Sequence, residues 1–260
     1  MNRIAPPRMT RAGGWIVGQP RHSAPALRLF CLPYAAGAAS VYTPWADRLP
    51  RGVEVCPVEL PGRQTRWRED AFQRVAPLVQ SLADALRGEL DVPYALFGHS
   101  MGSLIAFELA RELRRRGHDE PRLLAVSGGP APSLRRERRI HDKPDDVVVD
   151  KLRELGGLPE EVCESPELLE LLMPTIRADF AVCETYVRPP GQPLTCPVLA
   201  FAGTQDTEVP PSRVAPWEQE TGGGFTQHLL PGGHFFLHTS RDAVLDTLGR
   251  ALSAACHPHL

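Results

Sequence analysis

The stretch YALFGHSMGSLIAFELARELRRRG, residues 94–117, decides the fold. It begins as an apolar run, breaks at a serine flanked by glycines, and resumes with apolar residues at helical spacing. The pattern predicts a buried strand that passes into a helix with almost no loop. Gly98 and Gly102 permit this tight turn and hold the hydroxyl of Ser100 clear of the backbone, at the carboxyl edge of a sheet. A Gly-x-Ser-x-Gly sequence also arises by chance in glycine-rich loops, but the flanking strand and helix favour a nucleophile elbow.

Apolar runs of strand length recur along the chain, and several are bounded by Gly or Pro. Besides YALFG they are LRLFCLP, VEVCPVEL, RLLAVSGG, PVLAFAG and TQHLLPGG. Segments with helical periodicity separate them, such as VAPLVQSLADALRGEL and SRDAVLDTLGRALSAA. This alternation predicts an α/β fold with a mainly parallel central sheet flanked by helices. From about residue 140 to 188 the pattern is helical without a strand, which predicts a helical insertion over the sheet.

Length and composition favour one domain. A chain of 260 residues with 42% hydrophobic residues can bury one large core. The 29 basic and 31 acidic residues nearly balance, so no global charge indicates a nucleic acid or a membrane surface as partner. We expect a flexible N-terminal tail at residues 1–25, one domain at 26–255 with a helical lid at about 140–188, and a C-terminal tail at 256–260.

The cysteines show neither a Cys-x-x-Cys pair nor the spacing of metal ligands. They are Cys31, Cys56, Cys163, Cys183, Cys196 and Cys256. This scatter suits free thiols in a reducing compartment, so we expect no disulfide and no metal site. No apolar stretch reaches the length of a membrane span, and the first 25 residues lack the features of a signal peptide. We therefore predict a cytoplasmic, monomeric protein.

The serine requires a base and a group that orients this base, because a hydroxyl is a poor nucleophile at neutral pH. His234 lies in a Gly-rich loop between a strand and the last helix, whereas His228 and His238 fit structural roles better. Asp206 follows a strand and gives the chain order Ser, Asp, His expected of an α/β hydrolase. Glu208 is a competing acid nearby. The predicted catalytic residues are Ser100, Asp206 and His234.

The motifs together resemble one family, the stand-alone type II thioesterases that accompany polyketide and nonribosomal peptide synthases. The resemblance covers residues 29 to 252 approximately and rests on LPYAAGAAS, VELPGR, GHSMGS, IHDKPDDVVVDKLRELGGLP, FAGTQD and GGHFFL, in the family's order. It implies an α/β-hydrolase fold with a lid, and hydrolysis of acyl groups from the phosphopantetheine arm of acyl or peptidyl carrier proteins. Such chemistry needs no metal and no organic cofactor.

Two backbone amides are the candidates for an oxyanion hole. The amide of Met101, at the start of the elbow helix, points to where a tetrahedral oxyanion would form. The resemblance implies that Ala35 supplies the second donor. The family usually has His or Tyr followed by Ala, Gly, Gly, where this chain has Tyr34, Ala35, Ala36 and Gly37. If the position of Ala36 requires a positive φ, its methyl group strains the loop.

An apolar stripe in the helical insertion is either the acyl-facing side of the lid or part of the core. The stripe comprises Leu168, Leu172, Met173, Ile176 and Phe180. We take Met173, Ile176 and Phe180 as candidate substrate-binding residues, and both interpretations stay open.

The overall balance of charges does not explain two local clusters of arginines. Residues 114–116 end the elbow helix far from Ser100, where cations complement the helix dipole. The second cluster follows the carboxyl end of a strand, so we expect it near the entrance of the site. It is either a docking surface for acidic carrier proteins or a solvated loop without a partner, and consists of Arg135, Arg136, Arg138 and Arg139.

Other functions remain compatible with the sequence. One is an ester hydrolase for small molecules or a chain-releasing thioesterase domain, although Met1 and the lack of an upstream carrier segment favour a free-standing protein. Another is a noncatalytic binding protein on a hydrolase fold, since fold alone does not determine function. The joint presence of serine, acid and histidine argues against the latter.

Overall fold

A parallel sheet formed by the predicted apolar runs lies at the centre of the protein. The computed structural model describes residues 10–21, 23–134, 139–157, 162 and 164–256. The strands in this part of the chain are β1 (Thr10–Arg11), β2 (Ile16–Val17), β3 (Leu27–Leu32), β4 (Val53–Pro57), β5 (Tyr94–His99), β6 (Leu124–Ser127), β7 (Val198–Gly203) and β8 (Phe225–Leu230). Strands β3 to β8 form one sheet in the order β4-β3-β5-β6-β7-β8, and all neighbours are parallel. The predicted mainly parallel sheet is confirmed.

Helices alternate with the strands of this sheet. The α-helices of the described residues are α1 (Val75–Leu86), α2 (Met101–Arg115), α3 (Asp145–Leu155), α4 (Pro166–Glu184), α5 (Pro211–Val214), α6 (Phe236–Thr239) and α7 (Arg241–Cys256). Short 3-10 helices occupy Ala12–Gly14, Ala39–Val41, Thr43–Asp47, Gln64–Arg66, Arg87–Glu89 and Ala215–Glu220. None of these helices combines the length and the apolar character that a membrane crossing requires.

Alternate side chains of β3 point to opposite faces of the sheet, as the twofold period of a strand requires. Phe30 and Leu32 pack in a cluster that includes side chains of α1 and α2. Leu29 and Cys31 pack on the other face in a cluster that includes side chains of α7. All four residues are fully buried. Helices therefore cover both faces, which explains why the central strands are continuous apolar runs.

The helical insertion consists of α3 and α4, and the described residues between 139 and 188 contain no strand. Helix α4 begins after Ser165, whose hydroxyl accepts a hydrogen bond from the N–H of Leu168 at 3.4 Å. The two helices share an apolar cluster, the α3–α4 cluster, which contains Val148, Val149, Leu152, Met173 and Ile176. The predicted succession of helices is therefore present.

Part of the expected N-terminal tail is packed against the domain. Strands β1 and β2 form an antiparallel hairpin, and Ile16 forms a bridge with Val58 just after β4. Trp15 and Ile16 are buried in the core, and the guanidinium of Arg66 lies 4.0 Å from the centre of a Trp15 ring. The prediction of a flexible tail is wrong for this hairpin, because two large apolar side chains bury more surface than its Pro and Arg content suggested. Residues 1–9 and 257–260 lie outside the described residues.

Candidate active site

Ser100 lies at the tight turn between β5 and α2. Its φ of 53° falls in a region that residues with side chains rarely adopt. The turn is fixed by a 2.7 Å hydrogen bond from the N–H of Ser100 to the carbonyl of Ser127 at the end of β6. A methyl group at Gly98 would collide with the backbone of α2, and one at Gly102 would collide with the backbone at the end of β3. Only glycine at both positions allows strand and helix to approach so closely.

The three predicted catalytic residues form one chain of hydrogen bonds. The Nε2 atom of His234 lies 3.0 Å from the hydroxyl oxygen of Ser100, and its Nδ1 atom lies 2.8 Å from a carboxylate oxygen of Asp206. His234 and Asp206 are buried, at 7% and 3% exposure. With a proton on Nδ1 donated to the carboxylate, Nε2 is free to accept the hydroxyl proton of the serine. The arrangement can therefore activate Ser100 as a nucleophile.

The competing acid, Glu208, pairs with Lys151, whereas Asp206 is the carboxylate that contacts His234. The carboxylate of Glu208 lies 2.7 Å from the ammonium group of Lys151, which is a nearly buried residue of α3. Burial by itself would lower the pKa of Lys151, but the hydrogen bonds and negative charges of Glu208 and Glu154 outweigh this and raise it. Glu208 therefore binds the helical insertion to the loop that carries Asp206.

The remaining histidines near the site have other partners. The Nδ1 atom of His99 lies 2.9 Å from the hydroxyl of Ser127, and the ring is fully buried beside His234. Burial lowers the pKa of His99 well below its usual value, and the neighbouring histidines lower it further, so this ring is neutral. His238 shares a 3.1 Å hydrogen bond with the hydroxyl of Tyr34, and burial lowers its pKa. His238 thus supports the loop of residues 34–37.

A cavity of about 470 Å³ opens at the serine. Its lining includes Ser100, His234, Ala35, Phe235, Phe180 and Lys151. The lining is a mixture of apolar and charged side chains, and the insertion contributes to it through both α3 and α4. The cavity has a volume typical of sites for small molecules, and it opens at the hydroxyl of Ser100.

The candidate lid residues separate into two groups. Phe180 lines the cavity, whereas Met173 and Ile176 are buried in the α3–α4 cluster and are absent from the cavity lining. For Met173 and Ile176 the interpretation as core is therefore correct and the substrate-facing one is wrong. The physical reason is that one apolar stripe on α4 contacts α3 along part of its length and the cavity along another part.

The loop of residues 34–37 holds the expected second amide at the cavity. Ala35 lines the same cavity as Ser100, and within the described residues the amides of Ala35 and Met101 have no hydrogen-bond acceptor. Ala36 has a φ of 61°, so the position does require the left-handed conformation that glycine adopts more easily. Its N–H donates to a carboxylate oxygen of Asp179 at 2.8 Å. The expected strain is present, and a specific contact accompanies it.

The arginines of the two clusters differ in their surroundings. Arg135, Arg136 and Arg138 lie outside the described residues, while Arg139 is exposed and precedes Ile140, which lines the cavity. At the end of α2 the other cluster makes ion pairs with neighbouring carboxylates, joining Arg114 to Glu120, Arg115 to Glu112, and Arg116 to Glu112 and Asp84. The structural role predicted for this distal cluster agrees with these contacts.

Sequence reasoning missed a buried ion pair between Arg63 and Asp179 beside the 34–37 loop. Two features of the sequence could have indicated it. Arg63 ends the motif VELPGR, and Asp179 interrupts the apolar stripe of α4 at a position that the helical period places inside. A charged residue in such a stripe usually has a partner of opposite charge.

Comparison with known proteins agrees with this fold. A family model described as "Thioesterase domain" matches residues 27–252. The gramicidin S biosynthesis protein GrsT of Aneurinibacillus migulanus is 36% identical over 97% of this chain and 99% of its own. The RedJ thioesterase from the prodiginine biosynthetic pathway in Streptomyces coelicolor is 40% identical, with a TM-score of 0.84 over 96% of both chains.

A second solved structure is similar over nearly its whole length. The type II thioesterase BorB from the borrelidin biosynthetic cluster is 38% identical, with a TM-score of 0.85 over 94% of this chain and 99% of its own. Family, identity and coverage agree with the parallel sheet flanked by helices. The chain therefore belongs to the thioesterase family, in which its full-length relatives include type II thioesterases.

Proposed function

We propose that the protein hydrolyses acyl thioesters carried on the phosphopantetheine arm of carrier proteins, and so removes aberrant or stalled acyl groups from a biosynthetic assembly line. The observation that carries this proposal is the continuous chain from Ser100 through His234 to Asp206 at a cavity beneath the helical insertion. In this proposal Ser100 is the nucleophile, His234 is the general base and acid, and Asp206 orients the imidazole.

The first half of the reaction forms an acyl-enzyme. The hydroxyl oxygen of Ser100 attacks the thioester carbonyl while its proton passes to Nε2 of His234. The amides of Ala35 and Met101 donate hydrogen bonds to the resulting oxyanion, and the N-terminus of α2 adds favourable charge. Collapse of this intermediate breaks the carbon–sulfur bond, and the departing thiolate takes the proton from the imidazolium. The acyl group then remains on Ser100 as an ester.

The second half releases the acid. His234 accepts a proton from water, and the hydroxide attacks the ester carbonyl to form a second oxyanion at the same amides. Collapse breaks the bond to Ser100, whose oxygen regains the proton from His234. The products are the free carboxylic acid and the unmodified enzyme, and no atom or charge is left over.

The helical insertion is the proposed lid, and Phe180 is the proposed contact for the acyl chain. Its position over the site supports this assignment, since α3 and α4 both contribute to the cavity lining. The carrier protein would dock at the entrance, where Arg139 is exposed. Arg135, Arg136 and Arg138, which lie outside the described residues, belong to the same proposed docking cluster by their place in the sequence. The relatives GrsT, RedJ and BorB are named for biosynthetic pathways, which supports an assembly line as the setting. A cytoplasmic location and a monomeric state belong to the same proposal.

The deciding experiment compares one acyl group on three leaving groups. Wild type and Ser100→Ala are tested on the acyl-carrier protein, on the same acyl group as a small thioester, and on its ester with a small alcohol. We expect the carrier-bound thioester to be hydrolysed with the highest kcat/KM, and Ser100→Ala to be inactive on all three although folded. A fluorophosphonate should add the mass of its phosphonyl group to Ser100, because the serine oxygen displaces fluoride from phosphorus.

Each alternative function predicts a different result. Preference for the small ester would identify a small-molecule esterase, and formation of a cyclic or transferred product would identify a chain-releasing enzyme. Absence of labelling at Ser100, combined with binding of acyl-carrier protein without turnover, would identify a noncatalytic binding protein.

A further inference from the structure

Arg63 and Asp179 form an ion pair that is buried beside the 34–37 loop. The guanidinium makes two parallel contacts with the carboxylate, of 2.7 and 3.0 Å. The side chains are only 7% and 3% exposed. Arg63 belongs to the segment after β4, and Asp179 belongs to α4, so the pair joins the segment that follows β4 to the helical insertion. A bidentate pair of this kind fixes orientation as well as distance.

Both members of the pair also bind the backbone of the loop. The carboxylate of Asp179 accepts the N–H of Ala36 at 2.8 Å, and the guanidinium of Arg63 donates to the carbonyl of Gly37 at 3.0 Å. The loop itself is closed by a 2.9 Å hydrogen bond from the N–H of Gly37 to the carbonyl of Tyr34. The ion pair therefore binds the N–H of Ala36 and the carbonyl of Gly37. Ala35, in the same turn, lies at the cavity.

The conformation of Ala36 explains why the turn requires such support. An alanine at a φ of 61° is in a region that its methyl group disfavours. The hydrogen bond to Asp179 is specific to this orientation of the peptide, and Ala36 also packs against the α3–α4 cluster. Contacts from the insertion thus stabilise the strained residue that follows Ala35.

Helix α4 has a second hydrogen bond to the segment that carries Arg63. The hydroxyl of Thr175, one turn before Asp179, donates to the carbonyl of Gly62 at 2.8 Å. A methyl group on Gly62 would approach the Thr175 hydroxyl oxygen to 2.8 Å, so the helix and the segment are in close contact. Helix α4, Arg63 and the 34–37 loop are therefore one connected unit.

We propose that Asp179, held by Arg63, is a positioning residue that sets the Ala35 amide for the oxyanion and makes this donor depend on the seating of α4. The inference rests on the proposed function, in which Ala35 donates to the oxyanion. When α4 is seated, Asp179 binds Ala36 and the amide donor is in place. When α4 moves away, Ala36 loses its acceptor and the strained turn relaxes. Hydrolysis therefore requires α4 to be in contact with the 34–37 loop.

The principal test is the double substitution Arg63→Met with Asp179→Leu. It removes the acceptor for Ala36 without leaving an unpaired buried charge, and apolar replacements of buried ion pairs often preserve the fold. We expect kcat for a small acyl thioester to fall about 100-fold, as for the loss of one oxyanion donor, with KM nearly unchanged. The matched control is Arg188→Met with Glu220→Leu, which removes an arginine–glutamate pair away from the cavity, in which two guanidinium nitrogens contact one carboxylate oxygen. The control should keep its kcat.

A second experiment combines the double substitution with Ala36→Gly. It distinguishes a positioning role of Asp179 from a merely structural one. Glycine adopts the positive φ without strain, so the turn should form without Asp179. In the Ala36→Gly background we expect the double substitution to lower kcat by less than about tenfold, which is a coupling between neighbouring sites. A structural role would lower the thermal midpoint but would give the same loss of kcat in both backgrounds.

If the double variant does not fold, the conservative substitution Asp179→Asn replaces it, with Glu220→Gln as its control. Asp179→Asn keeps an oxygen that can accept the Ala36 N–H but loses the charge that holds Arg63, so it should lower kcat by less than the double substitution does, with rescue by Ala36→Gly. Glu220→Gln should not lower kcat. Two results would overturn the inference: an unchanged kcat in the Arg63 and Asp179 variants, or the same loss of kcat with alanine and with glycine at position 36. Either result leaves the proposed function intact, provided that Ser100 is still labelled and still required for activity. An active Ser100→Ala enzyme would instead overturn the proposed function.

Discussion

The carboxylate of Asp206 contacts the ring of His234 through one oxygen and the protein backbone through the other. Its Oδ2 atom lies 2.8 Å from Nδ1 of His234, while Oδ1 accepts the N–H groups of Glu208 and Val209 at 2.9 Å. The backbone contacts fix the direction of the carboxylate, and the carboxylate in turn fixes the tautomer and direction of the imidazole. The acid therefore acts through orientation, which makes its contribution separable from that of the serine.

Asp206→Asn should lower kcat by about 10⁴-fold, which is less than the loss in Ser100→Ala or His234→Ala. The amide keeps the shape of the carboxylate but favours the wrong tautomer of His234. Glu208→Gln should retain most activity, because that carboxylate binds Lys151 instead. Steady-state kinetics on a small acyl thioester measure both variants. Full activity in Asp206→Asn together with loss in Glu208→Gln would show that the acid is Glu208.

Phe180→Ala should change the order in which acyl chains are preferred. The side chain lines the cavity, so its removal enlarges the space for the acyl group. Met173→Ala should leave the order unchanged and should lower the free energy of unfolding by about 2 to 5 kcal/mol, because Met173 is buried in the α3–α4 cluster. Hydrolysis of malonyl, short branched, long linear and aromatic acyl-carrier proteins, with thermal unfolding in parallel, tests the pair. An equal loss on all chains in Phe180→Ala would assign it to the core.

Arg139→Glu should raise KM for acyl-carrier protein and weaken its dependence on salt. The residue is exposed beside the cavity, so the reversed charge should slow encounter with an acidic partner. Hydrolysis of a small acyl thioester should not change. Arg87→Glu is the suitable control, because Arg87 is exposed between α1 and β5, at the opposite edge of the sheet. A larger effect at Arg87 than at Arg139 would refute the docking surface.

His99→Gln should reduce the amount by which the free energy of unfolding falls at acidic pH. Burial holds the pKa of His99 far below its usual value, so below about pH 6.5 the unfolded chain binds a proton here that the folded chain does not. This difference lowers the free energy of unfolding as the pH falls. Between pH 6.5 and 5.5 the wild type should lose about 1 kcal/mol more than the variant. Urea unfolding at pH 6.5 and 5.5 measures this difference, and an equal pH dependence of the two proteins would contradict the prediction.

The sheet and the three catalytic candidates could be predicted because their sequence patterns are local. Each strand of the sheet is a short apolar run, and the serine stands between a strand and a helix that both have clear periodicity. The parallel strands then bring their carboxyl ends to one edge, so Ser100, Asp206 and His234 could be expected to meet. The position of His234, in a Gly-rich loop between a strand and the last helix, selected it among the histidines.

Contacts between distant segments could not be predicted in the same way. Arg63 and Asp179 are separated by 116 positions, and no local pattern states that they pair. Helical period identifies the apolar stripe of α4, but whether Phe180 meets the cavity and Met173 meets α3 depends on how the two helices cross. The hairpin around Trp15 was missed because two-residue strands lack a measurable period.

The turn around Ser100 tolerates no change at its glycines, whereas the cavity wall formed by α4 can change. A side chain at Gly98 or Gly102 would press on the backbone of α2 or β3, so any such change displaces the scaffold of the nucleophile. Phe180 is only partly buried and meets empty space, so its replacement alters the cavity while the sheet stays in place. Among proteins of this architecture, divergence in acyl preference should therefore accumulate on α4, and one unaltered elbow can serve chemically different pathways.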